Sequence, residues 1–395
     1  MRGTFVKRTW EHDPSLYAPP RYRRACHYDA FVPEPVSDLA LNLGGEAAGV
    51  VSEAEAAIAN LNAAAGSELA PLARLLLRTE SIASSKVEGM QVDARRLARA
   101  EAAADAGRSI GADAAEVLAN VDAMQYAIEE TAGVESIEPR HLADIHRVLM
   151  ERGAGAAPAG RIRDRQNWIG GNDYNPCGAD FVPPPPEEVD RLLQDLCAFS
   201  GDDTLPPIVH AGIAHAQFET IHPFDDGNGR TGRALVQALL RRRGLAPSFV
   251  PPISVELARD KARYIAGLTR FREDDISGWI GVFASAAAQA ARLASRYAAR
   301  VAELQESWRA RLRRHSTPRA DAAAWSVIDV LPAHPVITVP VGVAATGRTK
   351  PAVTNAIAEL AEAGVLAPVG ESRRNRAWEA EGLLELIMRL ETGAG

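Results

Sequence analysis

The sequence predicts a mainly α-helical protein built from two or three domains. Three observations carry this expectation. At 395 residues and 47% hydrophobic content, the chain is long enough for more than one domain and has an ordinary globular composition. Alanine-rich runs such as EAEAAIANLNAAA and ASAAAQAARLASRYAARVAEL favour helix, and few stretches alternate as strands do. One stretch, Gly160 to Val182, changes character and reads as a β-hairpin.

Each element has its own signal. Pro14, Pro19, Pro20, Pro33 and Pro35 make residues 1–38 an extended arm, because proline at this density stops long helices. A helix is expected from Gly45 to Asn62, and after a break at Gly66-Ser67 a second begins near Leu69. Asp113 to Glu130 places Val117, Val121, Met124 and Ile128 on one stripe of a core helix, with Glu116 and Asn120 sharing another face. Ile137 to Met150 is a further amphipathic helix, whose His141 and His146 lack ligand-spaced neighbours and read as partly buried residues. Pro183 to Pro186 force an extended exit from the hairpin before the helix EEVDRLLQDLCAF.

The helix from Leu205 to Ile221 carries His210 and His215, whose spacing to His222 fits no zinc pattern. Ala234 to Arg243 forms a helix that closes on RRRG, cations and a glycine stop at its C-terminus. Trp279 is expected in the core, and a long helix runs from Ile280 to about Arg314 until Pro318 breaks it. Beyond lie a helix from Ala320 to Leu331, a turn, a helix with Val353, Ile357 and Leu360 on one stripe, and two short strands.

A formal net charge of −7 argues against a chain that coats nucleic acid, while leaving room for one small DNA-reading module. Cys26, Cys177 and Cys197 are scattered and odd in number, so neither a disulfide framework nor a zinc knuckle is expected and a reducing, cytoplasmic setting is the default. The chain opens on no basic-then-apolar leader and holds no uninterrupted apolar run near ~18 residues.

The stretch His222 to Arg233, HPFDDGNGRTGR, concentrates an imidazole, two carboxylates, three glycines and two arginines. Gly227, Asn228 and Gly229 can converge successive N–H groups on phosphate oxygens, the more so if Arg230 opens a helix. Arg230 and Arg233 then share a helical face and reach the outer phosphates of a nucleotide. Asp225 or Asp226 could hold Mg²⁺, which needs only one or two carboxylates beside substrate phosphates. His222 is the group suited to proton abstraction near neutral pH. GNGRTG also fits a dinucleotide fingerprint, but no strand precedes it, and the Gly-Lys-Ser/Thr ending of a P-loop is missing.

HPFDDGNGRTGR resembles the Fic family signature HPFx(D/E)GNGRxxR at every fixed position, and agreement extends over roughly Leu16 to Ala287. The resemblance implies a Fic-like helical core with a β-hairpin flap, and transfer of AMP from ATP to a Tyr, Thr or Ser hydroxyl of a protein, the chain itself included. His222 would be the base, Asp226 the Mg²⁺ ligand, and Gly227, Asn228, Gly229, Arg230, Thr231, Gly232 and Arg233 the nucleotide-binding turn. RTESIASSKVEGM resembles the family's inhibitory motif (S/T)xxxE(G/N), with Ser84 and Glu88 on one helical face; Glu88 would reach Arg233 and obstruct the γ-phosphate. Its place ahead of the core motif resembles the class II arrangement. Gly160 to Val182 resembles the flap, which would pair with an extended segment of the target protein. DKARYIAGL resembles the family's YYxxL stretch, with Tyr264 as the aromatic near adenine.

The expected division is 1–110 for the arm and inhibitory helices, 111–315 for the catalytic core and 316–395 for a C-terminal module that resembles a winged helix-turn-helix. There Thr349, Lys350 and Asn355 would face a major groove and Arg373, Arg374 and Arg376 a backbone or minor groove, although Glu359, Glu362, Glu371, Glu379 and Glu381 dilute the charge. DNA binding, protein contact and homodimer building therefore stay open for this module, and a DNA-binding regulator with a nucleotide sensor is the competing reading. AMP removal and transfer of another group are the alternatives within the enzyme class.

Overall fold

In the computed structural model, the motif joins two helices that are buried along nearly their whole length. Helix α7 (Pro207–Ile221) is buried at every position from Ile208 to Ile221, and α8 (Asn228–Arg242) from Asn228 to Leu240. A helix buried all round must be central, so the remaining helices collect around this pair. The structure describes all residues except 1, 13, 15–16, 64–69, 106, 152–157, 371–375 and 392–395.

Along one side of α7 lie α1 (Gly45–Ala63), α6 (Pro186–Ser200), α10 (Lys261–Arg272) and the long α11 (Ile276–His315). Gly212 on α7 lets Phe283 and Ile280 approach, and Trp279, fully buried, donates its indole N–H to the Gly212 carbonyl at 2.8 Å. Against α8 pack α2 (Ala70–Val87), α4 (Ala112–Tyr126) with the π-turn 127–131 that extends it, and α5 (Pro139–Met150). α3 (Ala94–Asp105) lies against α4, and α9 (Ile253–Arg259) bridges α2 and α11.

Four expectations need correction. The proline-rich arm is not merely extended: β1 (Gly3–Trp10) and β2 (Cys26–Pro33) form an antiparallel sheet with Gly3 opposite Pro33 and Trp10 opposite Cys26. Its prolines fall outside both strands except at the last residue, so the ladder stays intact. Second, the flap is not a regular hairpin. Its strands reduce to one bridge, Ile169 to Phe181, because the intervening Asn172 and Asn175 satisfy the loop amides of Tyr174, Asn175 and Cys177 with their own side chains. Third, Cys26 and Cys177 form a disulfide, Cα atoms 6.3 Å apart, tying β2 to the flap across 151 residues of sequence, and Cys197 alone is free and buried. Residues so distant in sequence give no spacing signal. Fourth, His146 is more than a packed residue, as the site shows.

The C-terminal region comprises α12 (Ala323–Val330), β3 (Val336–Thr338), α13 (Val339–Thr346), α14 (Lys350–Glu362), β4 (Leu366–Val369), β5 (Ala377–Ala380) and α15 (Leu383–Glu391), with strand order β3-β5-β4. Its apolar interior is continuous with that of α2, α3 and α4, so one core runs across residues 110 and 315. Buried Arg78 of α2 crosses that seam, donating to the Ala333 carbonyl and pairing with Glu101 of α3. On α14, Lys350, Thr354, Asn355 and Glu362 are exposed, while Arg373, Arg374 and Glu371 lie outside the described residues. Among the described residues no helix is long and apolar enough to cross a membrane.

Candidate active site

The turn from α7 to α8 is fixed by main-chain geometry first. His222 caps α7 in the left-handed region at φ 49°, a conformation that costs a residue with a Cβ and persists only where surroundings impose it. Here they do. Arg163 donates to the His222 carbonyl at 2.9 Å and to the Pro184 carbonyl at 2.6 Å, and Asn167 donates to the carbonyls of His222 and Phe224 at 3.1 and 2.9 Å. Asn228 closes the loop on itself, its amide exchanging two 2.8 Å bonds with the main chain of Phe224. Fully buried Phe224 stacks on His146 with ring centres 3.9 Å apart, and His146 bonds the Asp226 carbonyl at 3.0 Å and the Gly160 amide at 2.9 Å. That joins the motif to the start of the flap.

Gly227, at φ 74°, turns the chain into α8, whose N-terminal amides open toward a cavity of about 550 Å³. Glu88, Glu219, His222, Asp225 to Gly229, Arg233, Lys261, Tyr264 and Arg272 line it, with Trp168, Ile169, Asp180 and Phe181 of the flap on the outer side. Helix N-termini and a Gly-rich turn favour anions, so the basic architecture suits phosphate oxygens.

Glu88 occupies this end of the cavity. Its carboxylate meets the Arg233 guanidinium at 2.7 Å, while Ser84 accepts from the same guanidinium through its hydroxyl at 2.8 Å and its carbonyl at 2.9 Å. A methyl group at Gly229 would overlap the Glu88 carboxylate, so Glu88 rests directly on the first turn of α8. Burial would push the Glu88 carboxyl up, but Arg233, with Arg230 and Lys261 behind it, outweighs burial and holds it below its ordinary range. Arg233, 2% exposed, is in turn held firmly protonated by Glu88 against the cost of its own burial.

The remaining residues singled out by sequence divide. Asp226 is exposed at the cavity, with one carboxylate oxygen on the Gly227 amide at 2.6 Å, whereas Asp225 pairs with Arg165 at 2.9 Å. Arg230 is buried and faces Glu116 of α4 at 3.5 Å, and Asn120 donates to the Ser81 carbonyl at 2.8 Å, so both residues of that second α4 face bear on the site region. Thr231 is buried and does not line the cavity, and Gly232 faces α7, where an added Cβ would strike Phe218. Tyr264 reaches the cavity but is almost wholly buried, its hydroxyl 2.9 Å from His215, and half-exposed Ile265 is the neighbour that opens to it. His210 is spent on the Phe199 carbonyl, and among the described residues no cluster of three metal-ligating side chains forms.

Sequence reasoning passed over Glu219, Arg272, Arg163 and Asn167. Glu219 had a signal, since it stands three residues before His222 on the last turn of a helix. Arg163 and Asn167 had none, because a side chain that bonds carbonyls of a distant loop leaves no pattern.

The chain is similar to known proteins: residues 136–240 match the Fic/DOC family and residues 49–129 the Fic/DOC family N-terminal region. A protein adenylyltransferase, fic-1, from Caenorhabditis elegans is 32% identical over 162 residues, which are 40% of this chain and 28% of the relative. A protein adenylyltransferase Fic from Nematostella vectensis is 31% identical over 172 residues, 42% of this chain and 36% of that one. The chain thus matches about a third of the length of these curated relatives. Among solved structures, a Fic family protein from Desulfovibrio desulfuricans aligns with TM-score 0.52 and 22% identity over 87% of this chain and 98% of its own. A Fic domain-containing signalling protein from Bacteroides thetaiotaomicron aligns with TM-score 0.52 and 19% identity over 63% and 97%. Both share the fold.

Proposed function

We propose that the protein is an autoinhibited protein adenylyltransferase. The observation that carries the reading is the opening of the α8 N-terminus beside His222 into one cavity that flap residues also line. In the reaction, a Tyr, Thr or Ser hydroxyl of a target protein attacks the α-phosphorus of ATP. Its proton passes to Nε2 of His222, the new O–P bond forms, the α–β bridging bond breaks, and pyrophosphate leaves. The family relatives named as protein adenylyltransferases support the choice of ATP.

The residues have separate tasks. Gly227, Asn228 and Gly229 offer main-chain N–H groups to the phosphates, and Arg230 and Arg233 supply charge from the same helix. The exposed Asp226 carboxylate suits Mg²⁺ held mainly by phosphate oxygens and water, and that ion would neutralise charge on the α- and β-phosphates. His222 is neutral across the physiological range, pushed down to about 4 by burial and by Arg163, so it is free to accept. Trp168, Ile169 and Phe181 border the cavity where a target segment would lie along the flap.

Glu88 holds the enzyme off. While it occupies Arg233 and the first turn of α8, a triphosphate cannot bring its terminal phosphate to that guanidinium. Displacing it costs about 1–3 kcal/mol, less than a fully buried pair would, because the Glu88 side chain is 37% exposed. The test is incubation with α-labelled ATP and Mg²⁺. Labelling of the protein or of an added target should rise in Glu88→Gly and vanish when His222→Ala is added; unchanged labelling in both would overturn the proposal.

A further inference from the structure

On the reading just given, His222 needs help that the established parts of the site do not provide. A base whose conjugate acid is destabilised by burial, by Arg163 and by Arg272 resists taking a proton, since the imidazolium would form among cations. Something near Nδ1 has to offset that charge. The Glu219 carboxylate is so placed: Oε2 lies 3.9 Å from Nδ1, and both side chains line the same cavity. The Glu219 main-chain carbonyl and, across the cavity, Glu88 favour the charged ring, yet neither Nδ1 nor Glu219 Oε1, both buried, closes a hydrogen bond of ordinary geometry. A buried carboxylate oxygen without a donor is costly, and it is kept only where the surroundings or the function use it.

Other charges near Glu219 do not satisfy it. Arg233 of α8 is committed to Ser84 and Glu88. Arg272 of α10 rests on the Phe181 ring at 3.6 Å, reaches Thr220 at 3.4 Å, and has no carboxylate within ion-pair distance among the described residues. Glu88 faces Glu219 as a like charge across the cavity. Glu219 therefore stands between two guanidiniums and one imidazole, and of these only the imidazole changes charge during the proposed reaction.

We propose that Glu219 is the positioning residue of His222: its carboxylate faces Nδ1, favours the tautomer that keeps Nε2 as the accepting atom, and offsets the imidazolium formed when the target hydroxyl gives up its proton. The arrangement follows from helix geometry. Positions 219 and 222 share a face at the end of α7, and the left-handed turn at His222 swings its ring back over that face. The role assigned to Glu219 is exercised through His222, whose Nδ1 its carboxylate faces.

The ionisation of Glu219 gives the inference a readout that packing alone does not. Burial pushes its carboxyl up to about 7, with Arg233 and Arg272 pulling down and Glu88 pushing up. As pH rises through that range Glu219 gains its charge, the imidazolium of His222 becomes easier to form, and the transfer rate climbs. Removing Glu88 takes away one of the causes of the raised value, so the climb then begins at lower pH.

The test uses the full chain in the Glu88→Gly background with saturating ATP and Mg²⁺, reading initial labelling rates from pH 5.5 to 8.5. Glu219→Gln, close in size, should lower the rate about 10- to 100-fold at pH 8, leave KM for ATP within about twofold, and abolish the climb. Glu219→Asp should recover part of the rate together with the climb. A Glu219→Gln variant that keeps the parent rate and profile overturns the inference. So does a loss of the same factor at every pH, or a loss that Glu219→Asp does not recover, since either marks a packing defect. If His222→Ala labels as well as its parent, the base assignment itself fails; if His222→Ala is inactive and Glu219→Gln is not impaired, only the role of Glu219 fails.

Discussion

The motif turn and the flap face each other across one cavity, yet they are held by different means. In the motif turn the carbonyls of His222, Phe224 and Asp226 and the amide of Phe224 are each held by a side chain, from Arg163 and Asn167 at the base of the flap, from Asn228 and from His146. The flap has one β-bridge, two asparagines that cap its own loop, and restraints that arrive from outside. These are the Cys26–Cys177 disulfide, the Trp10–Trp168 and Tyr22–Tyr174 ring contacts, and the bond from the Phe31 amide to the Val182 carbonyl. The difference teaches where precision is needed. On the proposed function, phosphates and a proton acceptor would have to be placed within fractions of an ångström, whereas a flap that pairs with polypeptide through its main chain would need only to be presented.

Breaking the turn should therefore have the largest effects. His222→Ala in the Glu88→Gly background should reduce AMP transfer by roughly 10²–10⁴-fold while ATP binding, followed by calorimetry, stays intact. Glu88→Gly alone should raise labelling about tenfold or more and tighten ATP binding, since the Arg233 guanidinium is released. Asn167→Ala removes two bonds to the motif carbonyls at a cost of about 1–3 kcal/mol and should lower kcat more than it raises KM.

On the flap side the expected effect is on stability and target use. The Cys26→Ser variant should lower the melting temperature by the equivalent of roughly 2–4 kcal/mol and raise KM for a protein target, with KM for ATP unchanged. Non-reducing peptide mass spectrometry should recover the Cys26–Cys177 pair from the oxidised protein and lose it on reduction.

Smallest is a pH effect on the fold itself. Glu80 of α2 is fully buried, accepts from the Ser254 amide and hydroxyl at 2.8 and 2.6 Å, and is pushed up to about 7 chiefly by burial. A carboxyl whose folded value lies above its unfolded one stabilises most while protonated, below about pH 4.5, and that stabilisation is lost as pH rises through about 7. Thermal stability should fall by about 1–3 kcal/mol between pH 5 and pH 8, and Glu80→Gln should flatten the slope.

How far the sequence reached follows the same division. Helices α1, α2, α4, α5 and α8 were legible because apolar periodicity, prolines and glycine stops are local signals, and the motif was legible because its chemistry is packed into a dozen consecutive residues. The β1–β2 sheet and the disulfide were not, since pairing between distant segments writes nothing into either one. Tyr264 shows the limit of motif reasoning: the residue arrives at the cavity, but His215 claims its hydroxyl and Trp279 its ring neighbourhood, which no spacing rule foresees. The continuous core beneath α2, α3 and the C-terminal region was likewise hidden, because Arg78 and Ala333 meet across 255 residues.

The most direct measurement is the intact mass of a target protein after incubation with ATP, Mg²⁺ and the Glu88→Gly enzyme. The account predicts a gain of one AMP on a hydroxyl residue, pyrophosphate released in equal amount, and neither product from the Glu88→Gly, His222→Ala double variant. A gain of another mass, or an undiminished gain with the double variant, would contradict it.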